Sequence, residues 1–292
     1  MPITATAYHR PASLAEACAL GQRLGPDAAF LAGGTELLPD YHRSRETATH
    51  LIALDPIEEL HGIQVAGDML RIGALTTVAQ VAASPLVRQW FPVLADAARA
   101  IGSPQVRSRA TIGGNFCRAV PCADTPPAAI VAGAQVRLVS PAGQRDMPAE
   151  AFFTGPRLTV LQPGELLVEI LIPSQPAHSG ASYQRFARRR GAALAVAAVA
   201  ARIGLRDQRI SGVRIALGAV APVPLLATRA MAVLEGEIPS PELFAVAAAV
   251  SAEEALPITD LRGSAGFRRE LVTVLTRRAL VEAAARAGMP PS

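Results

Sequence analysis

The feature that most restricts this chain is one device used twice, a doubled glycine followed by a small polar residue: Gly33-Gly34-Thr35 and Gly113-Gly114-Asn115. Each pair follows apolar residues. Glycine accepts positive φ and lets the backbone come within contact distance of a ligand, so successive N–H groups can converge on phosphate oxygens. Thr35 and Asn115 add hydrogen-bonding side chains where a diphosphate or ribityl chain would lie. Neither segment has the G-x-G-x-x-G spacing of a Rossmann dinucleotide domain, which counts against that solution. A strand that ends in Gly-Gly can also be a tight turn and nothing more. Two instances with matched polar followers tilt the reading toward a ligand.

The segments around the pairs alternate between helix and short buried strand. Ser13-Leu14-Ala15-Glu16 reads as a capping box, and the helix it opens carries Leu14, Ala17, Leu20 and Leu24 on one face and stops near Gly25. Short apolar runs at 28–32 and 51–54 suggest buried strands of a small α/β unit. Beyond Gly62 a hairpin is expected across Gly67-Asp68, then helices over 77–83 and 92–101, then strands over 135–139, 144–147 and 165–172. Residues 174–182 are rich in proline, glycine and serine and form the candidate boundary between modules. Two long strands follow, over 194–205 and 209–220, with helix as the alternative for the alanine-rich 194–201. Helices are expected near 229–235, 241–254 and 266–287.

Composition narrows the function classes. With 292 residues, half of them hydrophobic, the chain can bury one large core or two smaller ones. No apolar run reaches the roughly 18 residues of a membrane span. The start MPITATAYHR lacks a basic head before an apolar stretch, so a soluble cytoplasmic protein is expected. All 28 basic residues are arginine, yet the net charge is only +4 and aromatics are 4%, which argues against a nucleic-acid face. Cys18, Cys117 and Cys122 cannot by themselves give an iron–sulfur cluster four thiolates, and they read as idle or buried thiols. His9, His42, His50, His61 and His178 lie without a nearby nucleophile pattern and read as surface or packing residues.

Phe30-Leu31-Ala32-Gly33-Gly34-Thr35-Glu36-Leu37 and Thr111-Ile112-Gly113-Gly114-Asn115 resemble the two flavin-cradling segments of the FAD subunits of molybdenum hydroxylases, the family of xanthine dehydrogenase and carbon monoxide dehydrogenase. The resemblance continues through Ile72-Gly73-Ala74 with Thr76-Thr77, Ile101-Gly102-Ser103-Pro104-Gln105-Val106-Arg107 and Ala123-Asp124. It extends further through Pro163-Gly164-Glu165-Leu166-Leu167, Ile172-Pro173 and the stretch from Tyr183 to Arg189. It covers nearly the whole chain, from about residue 3 to about residue 285.

The resemblance implies an α+β fold of the vanillyl-alcohol oxidase and p-cresol methylhydroxylase type. Two α/β subdomains, residues 1–55 and 56–175, would hold FAD between them, and residues 176–292 would form a C-terminal domain with a three-stranded antiparallel sheet and helices. By similarity, the backbones of Ala32 to Thr35 and of Thr111 to Gly114 would cradle the diphosphate, with Phe30 and Glu36 in the first segment and Asn115 in support. Leu31 and Leu37 would flank the pocket, and Ile101 and Leu167 would pack on the flavin or adenine. Asp124 would hydrogen-bond the cofactor. Arg185 stands where relatives carry a lysine near the isoalloxazine, and a cation there would ease electron uptake. It reads equally as a solvated charge beside Arg188, Arg189 and Arg190.

The implied role is electron transfer. A large molybdopterin-binding partner oxidises substrate, a small partner with two 2Fe-2S clusters passes electrons, and FAD on this chain hands them to an external acceptor. The assembly would be a dimer of heterotrimers. Two departures matter: Gly191-Ala192-Ala193-Leu194 lacks the tyrosine that some relatives place over the ring, and the stretch from Asn115 to Asp124 lacks a cysteine-rich insertion, so no cluster is expected in this subunit. A self-contained FAD oxidoreductase of the same fold and a noncatalytic assembly subunit remain as alternatives. The first would need its own acid–base cluster and the second a ruined glycine motif.

Overall fold

The helix Leu14–Leu24 begins where Ser13 accepts the Glu16 N–H at 3.2 Å, while the Glu16 carboxylate takes the Ala12 N–H at 2.8 Å, one residue short of a reciprocal capping box. It packs on a parallel three-stranded sheet in which His50–Ala53 lies between Ala7–His9 and Ala28–Leu31. The computed structural model describes residues 7–189 and 191–289, so Arg190 lies outside the described residues.

A five-stranded antiparallel sheet follows. Its hairpins Ile63–Ala66 with Met69–Gly73 and Gln135–Ser140 with Gly143–Pro148 are joined by Leu166–Pro173, which enters last and sits in the middle. A central strand covered on both faces must be apolar at nearly every position, and Leu166–Pro173 is buried over its first seven residues. Its one charge, Glu169, is held by Arg71 at 2.5 Å and Arg137 at 3.0 Å from the two flanking strands. Helices Val78–Ala83, Pro92–Ala100, Ile112–Cys117 and Thr125–Val131 contribute buried residues to the same core as this sheet.

The last sheet orders Ser179–Phe186, Ala197–Arg206, Arg209–Gly218 and Leu225–Leu226. The expected three-stranded sheet is thus corrected to four, because Leu225 and Leu226 pair with Leu217 and Ala216. Pro224, which has no N–H to give a ladder, precedes this added strand and keeps it short. The alanine-rich segment is strand, not helix. Ala181, Ala200 and Ala216 turn one face toward the core that contains Thr125–Val131, and Val199, Ile203, Ile215 and Leu217 turn the other toward Ala265–Arg286. Small side chains on the first face let the two layers close up. A Cβ added at Gly218 would lie 2.9 Å from Pro127 Cγ.

The segment read as a boundary, 174–182, already contains the start of the strand Ser179–Phe186. Small residues looked like loop there because the closeness of helix Ala265–Arg286 is invisible in sequence: a Cβ at Gly180 would sit 2.5 Å from Ala287 N. Among the described residues no helix is long and apolar enough to cross a membrane.

Candidate functional site

The two glycine segments meet. A Cβ on Gly33 would lie 2.7 Å from the Arg109 carbonyl carbon and 3.1 Å from Ala110 Cα, so the first loop rests directly on the backbone that leads into Thr111. Gly34 supplies the turn, with φ of 71°. Among the described residues no protein acceptor takes the N–H groups of Gly33, Gly34, Thr35, Glu36 or Leu37. Five successive unpaired amides beside a cavity form a site for an anionic ligand that brings several acceptor oxygens.

The second segment works differently from the loop that its sequence suggests. Thr111 caps the helix Ile112–Cys117, and both glycines lie inside that helix. The N–H groups of Ile112 and Gly113 donate to Thr76 O at 3.0 Å and Ala74 O at 2.9 Å, and that of Gly114 goes to Thr111 Oγ1 at 3.1 Å. Three of the four amides in the expected cradle over 111–114 thus already have protein partners. Gly113 is needed because a Cβ would meet Ala74 Cβ at 2.6 Å, which holds the helix against the strand end at Gly73.

Asn115 is half-buried on the cavity side of this helix. Its Oδ1 accepts from Thr125 Oγ1 at 2.6 Å, a separation proper to O–H···O and short for N–H···O, which leaves the Nδ2 donors for the cavity. One turn on, Arg118 lines the same space and pairs with buried Asp40, which also receives Arg157 at 3.2 Å. The Glu36 carboxylate is 3.7 Å from Arg118 Nε, an atom that is sealed from solvent and has no hydrogen-bond acceptor. Burial, with Arg157 nearby, lowers the Arg118 pKa, and Glu36 opposes the shift.

Of the residues expected from sequence, Phe30, Ala32, Gly33, Gly34, Thr35, Glu36 and Leu37 share one cavity with Ile101, Thr111, Gly114 and Asn115. Six others stand elsewhere. Leu31 packs beneath Gly34, while Ile112 and Leu167 belong to the core and Gly113 is pressed on Ala74. Asp124 and Arg185 form their own buried cluster: Arg185 Nε is 3.1 Å from Asp124 Oδ1, and the guanidinium donates to Ala100 O at 2.7 Å and to Ala193 O. Ala100 immediately precedes Ile101, so the cluster abuts the cavity edge.

Sequence reasoning missed Arg118, Val106, Ala110, Cys117 and Val120, all of which line the cavity. Reading the second glycine pair as the first turn of a helix would have found Arg118, because residues three apart share a face and Arg118 follows Asn115 by that spacing. Among the described residues no group of three or more His, Cys, Asp or Glu side chains could hold a metal ion. His9 and His50 face one another across the parallel sheet with ring nitrogens 2.9 Å apart.

Residues 4–175 match the family model described as the FAD binding domain in molybdopterin dehydrogenase, and residues 181–283 match that of the CO dehydrogenase flavoprotein C-terminal domain. The carbon monoxide dehydrogenase medium chain of Hydrogenophaga pseudoflava is 37% identical over 279 residues, 96% of this chain and 97% of the relative. A putative xanthine dehydrogenase FAD-binding subunit of Escherichia coli is 32% identical over 283 residues, again 96% and 97%. A solved structure of the Hydrogenophaga pseudoflava carbon monoxide dehydrogenase that lacks the Mo-pyranopterin moiety superposes with a TM-score of 0.95 at 38% identity, covering 98% of this chain and 99% of that one.

Proposed function

The chain belongs to the FAD-binding medium subunits of the molybdenum hydroxylase family, and from that premise we propose that it binds FAD in the cleft between its glycine segments and relays electrons through it. The observation that carries this reading is the meeting of Gly33 with the Arg109 backbone, which gathers five unpaired amides, Asn115 and Arg118 around one cavity. These groups fit a dinucleotide. The amides of Gly33 to Leu37 and the Arg118 guanidinium would hold the diphosphate, the Asn115 amide would donate to it or to the ribityl chain, and Ile101 and Val106 would meet an aromatic ring. Bound FAD supplies the exchange between single-electron delivery and two-electron transfer.

The protein's own part is positional. Asp40 and Glu36 orient Arg118, and Thr125 orients Asn115. Asp124 and Arg185, tied to the backbone at Ala100 and Ala193, would stand at the ring end of the cofactor. Residues 1–55 and 56–175 would act as the two FAD-holding subdomains of a vanillyl-alcohol oxidase type fold, and 176–292 as the C-terminal domain. The electrons would come from 2Fe-2S clusters in a small partner that is fed by a large molybdopterin-binding partner, in a cytoplasmic dimer of heterotrimers.

The test is to co-produce the chain with a large molybdopterin-binding and a small 2Fe-2S subunit from its own genome and record the flavin absorbance and extractable FAD. Stoichiometric FAD that is bleached by substrate and recovers with an acceptor is the expected result. A complex that assembles with molybdenum and iron but holds no flavin would remove the proposal.

A further inference from the structure

Asp124 opens the helix Thr125–Val131 and is only 5% exposed. Its Oδ1 accepts the Tyr183 hydroxyl at 2.6 Å and lies 3.1 Å from Arg185 Nε. Its Oδ2 has no donor among the described residues. Oδ2 is not sealed from solvent, so it is the oxygen left open to a donor from outside the protein. Burial pushes its pKa up, and Arg185 and the Tyr183 hydroxyl resist that push. The same burial, with the carboxylate beside it, raises the Tyr183 phenol well above its ordinary range, so the hydroxyl stays a donor.

Two contacts tie Asp124 to the edge of the cavity, which it does not itself line. Thr125, the next residue, bonds to Asn115, which lines it, and Arg185 bonds to Ala100, next to the lining residue Ile101. Tyr183 was not among the residues expected to meet cofactor; its hydrogen bond to Asp124 ties it to one that was.

We propose that Tyr183 is a positioning residue for the flavin: its hydroxyl fixes Asp124 Oδ1 and thereby presents Oδ2 to a hydroxyl or ring N–H of bound FAD. This rests on the flavin reading given above. The charged and titratable groups that face the pair are Arg185, on the same strand, and Cys122, in the turn before Asp124. Neither replaces the lost donor: Arg185 Nε stands 3.1 Å from Oδ1 but makes no hydrogen bond to it, its Nη atoms are held by carbonyls, and Cys122 interacts with Arg262.

The experiment uses the assembled complex and follows FAD release by fluorescence as pH is lowered, for wild type, Tyr183→Phe and Asp124→Asn. Phenylalanine keeps the half-buried ring, so folding is retained and only the donor is lost. Without the donor Asp124 protonates earlier, and the release midpoint in Tyr183→Phe should rise by about one pH unit, the size expected for one hydrogen bond to a charged group. Asp124→Asn should lose that transition, and adding Tyr183→Phe to it should change little. An unchanged midpoint and an unchanged flavin spectrum in a Tyr183→Phe complex that retains its FAD would overturn the role of Tyr183. A wild-type complex that never holds FAD would instead overturn the flavin reading beneath it.

Discussion

Gly33 and Arg109 touch backbone to backbone: a methyl group at position 33 would overlie the Arg109 carbonyl, with its carbon 2.7 Å from the carbonyl carbon. Neither side can yield by turning a side chain. Gly33→Ala should therefore part the two segments, lowering stability by about 1–3 kcal/mol as overpacking does and emptying the complex of FAD. Gly114→Ala is the control, since its Cβ would meet only the Thr111 hydroxyl, at 2.9 Å. That hydroxyl can rotate away for the loss of one cap bond, about 1 kcal/mol. Thermal melts and FAD content of the two variants separate the effects, and equal behaviour would deny that the contact of the loops builds the cavity.

Arg118 is the cation that offsets Glu36 and Asp40 beside the five open amides. Arg118→Ala would leave Asp40 with Arg157 alone and put uncompensated negative charge next to an anionic cofactor. FAD retention should fall roughly tenfold, the worth of one charge-assisted hydrogen bond, and the deficit should shrink as salt is raised. Glu36→Gln should move retention the other way or leave it unchanged. Titration of FAD into deflavinated complex at two ionic strengths checks both signs.

What the chain disclosed beforehand depended on whether a signal was local. The helix Leu14–Leu24, the hairpin Ile63–Gly73 and the helix Pro241–Glu254 follow from caps, alternation and turn residues within a few positions of themselves, and they lie where those signals put them. The first glycine segment was legible for the same reason. The second was read as a backbone cradle, and its helical start was hidden because Gly113 lets Ala74 approach, a contact between residues 39 apart in sequence. Asp124 was identified from family resemblance, whereas its bond to Tyr183 spans 59 residues and leaves no trace in spacing. Residues 174–182 looked like a module boundary although a strand begins at Ser179, because glycine and serine there serve a neighbouring helix and not local flexibility.

Thr125 is buried, and its hydroxyl is 2.6 Å from Asn115 Oδ1. If that bond decides which end of the amide faces the cavity, Thr125→Val, which keeps the shape and removes the hydroxyl, frees the amide to flip. Stability should drop by about 1 kcal/mol and FAD retention by roughly fivefold. Thr125→Ser should restore retention, because it returns the donor. A valine variant that binds FAD as wild type does would show that the amide orientation is set by something else.

The loop over 256–263 is pinned by charge, and that makes its stability depend on pH. Asp260 accepts from Arg262 N at 2.8 Å and Nη2 at 2.6 Å, and from Arg268 Nη2 at 2.7 Å. Arg268, 1% exposed, also donates to Val196 O at 2.7 Å and Ala219 O at 3.0 Å, so one buried guanidinium ties the loop to two strand ends. The hydrogen bonds from Arg262, then those from Arg268, hold the Asp260 carboxyl far below its ordinary range. Folding therefore lowers its proton affinity. The stability it contributes is complete above the unfolded carboxyl pKa near 4 and is lost as pH falls through the folded value. Asp260→Asn should lower stability by about 1–2 kcal/mol at neutral pH, an allowance for its partial exposure, and the gap to wild type should close on acidification. Arg268→Met should cost about 3–5 kcal/mol at neutral pH, because it strands two buried carbonyls and removes one partner of Asp260, and the Asp260 share of that cost should disappear on acidification. Denaturant melts from neutral to acid pH compare the three chains, and a constant gap for Asp260→Asn across that range would show that its ionisation is not what holds the loop.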